Sequence, residues 1–227
     1  MQPYFFPYIG YFQLIGSVDL FVMYDNIKYT KKGWINRNRF LRNGADCVFT
    51  VPLRKDSDSL DVRDRVVAAD FDRGKLVTQL REAYRRAPHF QESFHIVEKA
   101  VMAPRDNLFE YVHGSVVDVC HYLGIGTRIA ASSSLVIDVA LKAQDKVLAL
   151  CKATGANVYV NAIGGQELYT REEFRARCVE LKFLKTHPIE YPQFGDPFVP
   201  WLSIIDVMMF NPVARIREFL ETRYELI

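Results

Sequence analysis

The chain has 227 residues, 29 Lys+Arg against 27 Asp+Glu and 49% apolar residues, which suits one globular domain and excludes a disordered polyelectrolyte. No apolar run approaches the roughly 18–20 residues of a membrane-spanning helix, and no basic stretch followed by an apolar run marks a secretory signal. A net charge of +2 gives no whole-protein case for nucleic-acid binding.

Aromatic residues crowd the start of the chain: Tyr4, Phe5, Phe6, Tyr8, Tyr11, Phe12, Phe21, Tyr24 and Tyr29 all fall within the first 29 positions. Pro3 and Pro7 forbid a regular helix there and predict an extended loop. A short helix follows over 9–15 with Phe12 and Ile15 inward, then a buried strand over 19–24 that ends at Asp25 and Asn26. A second strand is expected over 46–53, and residues 54–64 are charged enough to form an exposed loop. From about 70 to 123 the pattern is helical. Leu76, Leu80, Ala83 and Ala87 recur at helical spacing, as do Leu108, Val112, Val116, Val119 and Leu123, with Asp106 or Asn107 as cap and Gly124 as terminator. Strands over 127–131, 156–162 and 179–185 then alternate with helices over 140–154 and 171–177, and helices over 199–209 and 214–223 close the chain. This alternation predicts one α/β domain over residues 1–227, a mainly parallel sheet flanked by helices, with a helical insert at about 70–125.

Four places carry chemistry. Between Lys28 and Arg42 stand six basic residues, Lys28, Lys31, Lys32, Arg37, Arg39 and Arg42, with no acid among them. Mixed with Tyr29, Trp34, Asn36 and Asn38, they suit phosphates held by cations and a base or sugar stacked on aromatics; the plain alternative is a solvated basic loop. Long nucleic acid is the weaker reading, because no second basic stripe accompanies them. Gln2, Tyr4 and Tyr8 form a polar and aromatic loop leading into a helix, a place for an anionic ligand or simply a core segment. Asn161, Gly164 and Gly165 follow a strand, where ligands collect in open α/β sheets, although two glycines also make an ordinary turn. Tyr191 and Gln193 lie in a proline-rich loop before Ser203, a helix cap, and Asp206, a carboxylate among Ile204, Ile205 and Val207.

Cys47, Cys120, Cys151 and Cys178 are widely spaced without a CxxC pair, which fits reduced cytosolic thiols. The five histidines show no metal-ligand spacing, and there is no GxSxG elbow, GxGxxG or P-loop. No metal site is expected, and nothing identifies a cofactor or an oligomeric state.

The opening string MQPYFFPYIGYFQLIGSVDLFVMYDNIKYTKKGWINRNRF, with SSSLVI, LALCKATGANVYVNAIGG, ELYTREEF and the YPQF to LSIIDVMMFN ending, resembles the WbqC-like protein family over essentially the whole chain. Members occur in gene clusters for bacterial O-antigen and other surface polysaccharides, and transfer of glycine or another aminoacyl group onto an amino sugar has been suggested for them. The resemblance implies a cytoplasmic transferase of lipopolysaccharide synthesis acting on a nucleotide-linked amino sugar. Family members carry a short apolar strand before QPY, whereas this chain starts at Met1-Gln2. The resemblance thus implies either a start placed upstream or a gap in the sheet with a weakly anchored 2–8 loop. The layout of loop, helix, strand to Asp25 and KKG segment is also similar to nucleotidylyltransferase-type folds, with Tyr8-Ile9-Gly10-Tyr11 where their HxGH motif stands.

On this reading Lys31, Lys32, Arg37 and Arg39 hold a pyrophosphate or activated donor, and Tyr8, Tyr29 and Trp34 stack on base or sugar. Asp25 or Asp206 is the general base. Gln2, Tyr4, Lys28, Asn38, Asn161, Gly164, Gly165, Tyr191 and Gln193 complete the substrate-binding set. The rival is a non-catalytic nucleotide-sugar binding or scaffold protein of the same pathway.

Overall fold

The computed structural model describes residues 1–195 and 197–227. Its aromatic N-terminal loop is core: Phe5 and Phe6 have no accessible surface, and Phe5 stacks on Tyr111 with 5.2 Å between ring centroids. The loop leads into α1 (Ile9–Gly16) and β1 (Leu20–Met23). A hairpin follows, β2 (Arg37–Arg42) and β3 (Ala45–Thr50), and then α2 (Arg73–Tyr84), α3 (Phe90–Met102) and α4 (Leu108–Leu123). The second half contains β4 (Arg128–Ala131), α5 (Ala143–Thr154), β5 (Val158–Ala162), α6 (Arg171–Arg175) and β6 (Glu180–Thr186). It closes with α7 (Ile204–Phe210), α8 (Val213–Thr222) and β7 (Tyr224–Leu226).

The class is α/β, as expected. β1 and β4 pair in parallel, β5 and β6 pair in parallel with β7 antiparallel on the far side of β6, and the β2–β3 hairpin stands apart. The helical stretch divides into α2, α3 and α4. Leu108, Val112, Val116, Val119 and Leu123 all face inward, the Asn107 side chain caps α4 by accepting from the Glu110 N–H, and Gly124 ends it at φ +73°. A smaller core of Val147, Leu148, Cys151, Phe174, Val179, Leu181 and Phe183 lies under α5 and α6. No helix among the described residues is long and apolar enough to cross a membrane.

One expected boundary needs correcting and two strands went unassigned. Residues 37–42 of the basic segment, for which no element was expected, form a strand. Asn36, Asn38 and Phe40 point inward between outward Arg37 and Arg39, so the alternation was masked because two of its inward residues are polar. The helix expected from residue 199 begins only at Ile204: Pro200 and Trp201, the latter at φ +59°, are incompatible with a helical turn, and Ser203 caps the helix by accepting from the Ile205 N–H. The strand β7 went unpredicted, being three residues long.

A cleft of about 470 Å³ separates β1 from β5, lined by Phe21 and Val22 on one side and Val158 and Val160 on the other. Met1 runs along the open edge of β1. Its ammonium donates to the Val22 carbonyl at 2.7 Å and its carbonyl accepts from the Tyr24 N–H at 2.8 Å, the pair of bonds a parallel ladder makes around Met23. Burial, then the charge of Lys146, pushes that amino group down to about 5. The cleft lies beside this edge, and the 2–8 loop is firmly held. Asn38 Nδ2 donates to the carbonyls of Phe5 (3.1 Å) and Phe6 (2.7 Å), and Ser203 Oγ donates to that of Phe6 at 2.7 Å. These bonds hold Phe6 at φ +43°, a conformation non-glycine residues rarely adopt.

Asn38→Ala strips the Phe5 carbonyl of its donor inside the core. The expected loss is about 1–3 kcal/mol of unfolding free energy, read from urea denaturation; an unchanged midpoint would show that the loop is held by packing alone.

Candidate functional site

β1 and β4 run side by side, Met23 opposite Ala131, and both chains turn at their carboxyl ends. In parallel α/β sheets this is the edge where ligands bind, because the strands deliver their exit loops there together. Here the loops interlock through Asp25. Its Oδ1 accepts from Ser132 Oγ and the Ser133 N–H, both at 2.9 Å, and its Oδ2 accepts a short bond from Ser133 Oγ. Lys146, reaching across from α5, donates to the Asn26 side-chain oxygen at 2.8 Å and to the Asn26 carbonyl at 3.2 Å. Its ammonium lies 5.0 Å from the Tyr24 ring centroid.

The electrostatics of this edge are set by that geometry. Burial alone would raise the Asp25 pKa, but the bonds from Ser133 and Ser132 outweigh it and hold the carboxyl below the ordinary aspartate value. Burial lowers the Lys146 pKa against the opposing fields of Asp61 and Asp25. An ionised carboxylate and a lysine with weakened hold on its proton therefore share one edge, anchored on neighbouring residues. Such a pair can bind an amine as its ammonium and then accept the proton.

Asp206 is placed differently. It is fully buried on α7 and receives Tyr84 OH at 2.9 Å, Tyr191 OH at 2.7 Å and Gln193 Nε2 at 2.8 Å. Burial raises its pKa although all three donors oppose the rise. The carboxylate ties the proline-rich loop, through Tyr191 and Gln193, to α2 and α7; none of its partners belongs to the Asp25 group.

The basic segment splits between two faces. Trp34 is exposed, with the Arg37 and Arg39 guanidinium carbons 5.2 and 5.5 Å from its ring centroid. Arg37 donates to the Gly33 and Lys32 carbonyls, and Arg39 pairs with Asp46 and donates to the Trp201 carbonyl. On the other face Lys31 pairs with Asp58, Tyr29 OH donates to Asn36 Oδ1, and Lys28 forms an isolated bridge with Asp61. Lys32 is exposed and Asn38 is spent on the N-terminal loop.

The remaining residues make local contacts outside the Asp25 group. Gln2 accepts from Tyr4 OH through its side chain and from Tyr11 OH through its carbonyl. Tyr8 lies over the first turn of α1, where a Cβ on Gly10 would fall 2.4 Å from the ring, and packs against Trp201 at 5.9 Å. Asn161 folds back on its own exit loop, and a Cβ on Gly165 would stand 2.6 Å from its amide nitrogen; Gly164 is exposed with open space around it. Ser132, Ser133, Lys146 and Arg65 were missed by sequence reasoning. A run of serines directly after the strand at 127–131 was the available signal for the first two, whereas Lys146 and Arg65 enter only through tertiary packing. No cluster of three His, Cys, Asp or Glu suited to a metal occurs among the described residues.

Because Asp25 sits below its ordinary value when folded, its ionisation stabilises the fold at every pH above the unfolded value of about 4. That contribution disappears as the pH falls from about 4 through the lowered folded value. Asp206, raised when folded, contributes with the opposite sign. Asp25→Asn should flatten the acid limb of the stability profile, followed by urea unfolding from roughly pH 6 to pH 2.5; an acid limb identical to the wild type would remove Asp25 from this account.

No solved structure matches the chain. An uncharacterised protein of Mycobacterium tuberculosis strain H37Rv, Rv1507c, is 26% identical over 224 residues, covering 97% of this chain and 95% of its own length. The WbqC-like family profile matches residues 2–218, a span that takes in the Asp25 edge, the basic segment and the Asp206 cluster, and the chain accordingly belongs to the WbqC-like protein family.

Proposed function

We propose that the chain is a cytoplasmic transferase of surface-polysaccharide (O-antigen) synthesis that moves an aminoacyl or acyl group of the glycine type onto the amine of a nucleotide-linked amino sugar. The observation that carries this reading is the placing of Lys146, bonded to Asn26 with its pKa lowered by burial, beside Asp25, held below its ordinary value by Ser133 and Ser132, at the carboxyl ends of β1 and β4. The pathway and the sugar come from the family resemblance; the amine chemistry comes from the edge.

A carboxylate held below its ordinary value is a poor base for an ammonium, so the roles divide. Asp25 attracts the sugar ammonium, and Lys146 in its neutral form takes the proton. The freed amine attacks the carbonyl of an activated acyl donor, the new C–N bond forms, the bond to the leaving group breaks as Lys146 returns its proton to that group, and the second proton of the attacking nitrogen passes to solvent as the amide forms. Asp206 is a positioning residue here, fixing Tyr191 and Gln193.

One observation favours the non-catalytic alternative, a nucleotide-sugar binding or scaffold protein of the same pathway. Both Asp25 oxygens are already bonded to Ser132 and Ser133, as in a purely structural latch between β1 and β4. The two readings part on Lys146→Met. Incubation with nucleotide-linked 3- or 4-amino sugars and activated acyl donors should give an N-acylated product by mass spectrometry, slowed about 10²–10⁴-fold in the variant. Tight binding of the sugar with no product from any donor, and a functional Lys146→Met, would establish the scaffold instead.

A further inference from the structure

Arg65 is 4% exposed, yet no carboxylate among the described residues lies within ion-pair distance of it. Its Nη1 donates to the Ser57 carbonyl at 2.9 Å, its Nε is buried without an acceptor, and its guanidinium carbon stands 4.7 Å from the Tyr29 ring centroid. A guanidinium cannot shed its proton, so this side chain carries its charge into the interior without a direct ion pair, its field reaching only the carboxylates of Asp56 and Asp58, an arrangement that is costly unless an anion completes it. Asp56 and Asp58, the acids of the adjoining loop, are engaged by Arg54 at 3.0 Å and Lys31 at 2.7 Å.

Arg65 opens onto a groove of about 680 Å³ whose walls include Tyr29, Lys31, Arg54 and Lys55. Its charged lining is four cations, Lys31, Arg54, Lys55 and Arg65, against two carboxylates, Asp56 and Asp58. We propose that this groove is a phosphate-binding site, with Arg65, stacked on Tyr29, as its fixed anchor and Lys55 as the mobile partner. The excess of two positive charges matches a phosphate dianion better than a single carboxylate, and a guanidinium fixed by ring stacking offers the planar fork that phosphates bind.

The position ties this groove to the Asp25 edge. Residues 25–29 are bonded to 60–63 through Arg63 N–H to Asp25 carbonyl (3.0 Å), Val62 N–H to Ile27 carbonyl (2.9 Å) and Tyr29 N–H to Leu60 carbonyl (3.1 Å). Tyr29 follows Asp25 by four positions, so their Cα atoms are at most about 14 Å apart. The groove and the Asp25 edge are therefore built on one short loop. In this the inference deepens the transferase reading, on which it rests for the identity of the ligand but not for the existence of the site. It also moves the phosphate away from Arg37 and Arg39, which donate to Gly33, Lys32, Asp46 and Trp201.

The test needs no acyl donor and no sugar, so it fails or succeeds independently of acyl transfer. Inorganic pyrophosphate is titrated into the purified chain at constant ionic strength, and the melting temperature is followed against sodium chloride and acetate controls. A hundredfold excess over Kd should raise Tm by roughly 5–10 °C. Arg65→Met should abolish that rise while leaving the ligand-free Tm unchanged or higher, because it removes an unpaired buried charge. Lys55→Glu, at an exposed position, should weaken pyrophosphate at least tenfold and serves if Arg65→Met does not fold. No rise in the wild type beyond the salt and acetate controls would overturn the proposal, as would a full rise in Arg65→Met or an unchanged midpoint in Lys55→Glu.

Discussion

Burying an extended aromatic loop takes its backbone carbonyls out of water, and each then needs a donor. In this chain the requirement falls on Phe5 and Phe6, and Asn38 and Ser203 meet it. Those four bonding partners come from the N-terminal loop, β2 and the start of α7, so one polar contact fixes three distant segments against a shared core. The left-handed Phe6 is tolerated for the same reason: the surrounding bonds and the packing of Phe5 on Tyr111 over-determine its conformation. With the loop locked, Gln2 holds the hydroxyls of Tyr4 and Tyr11.

The two carboxylates singled out by sequence illustrate how environment separates identical groups. Asp25 and Asp206 both lie among apolar elements, and burial pushes both upward. Asp25 receives hydroxyl and backbone donors strong enough to reverse that push, whereas the two tyrosines and the glutamine around Asp206 do not. Opposed shifts of this kind are how one fold assigns different roles to like residues. The cations divide in a similar way. Arg37 and Arg39 are tied to carbonyls and to Asp46, Lys31 is shared with Asp58, and Arg65 alone is buried without an acid.

Much of the architecture was legible from spacing. The helical rows of α4, the Asn107 and Ser203 caps, the Gly124 terminator and the strand–helix alternation of the second half are local patterns, and local patterns survive folding. No strand was assigned in the basic segment because β2 turns asparagines inward, and polar inward residues make no hydrophobic alternation. Its inward Asn36 and Asn38 serve the backbone of other segments, a demand that exists only once those segments have met.

The sequence by itself determined the family, the α/β class, the helix ends and the crowding of aromatics before a basic run, since each is written in neighbouring residues. Tertiary structure alone decided which of those residues meet. It set Lys146 beside Asn26 across 120 positions, closed Ser132 and Ser133 on Asp25, and laid Arg65 over Tyr29. Charge and hydrogen bonding act over a few ångströms, and only the folded chain brings residues so distant in sequence within that range.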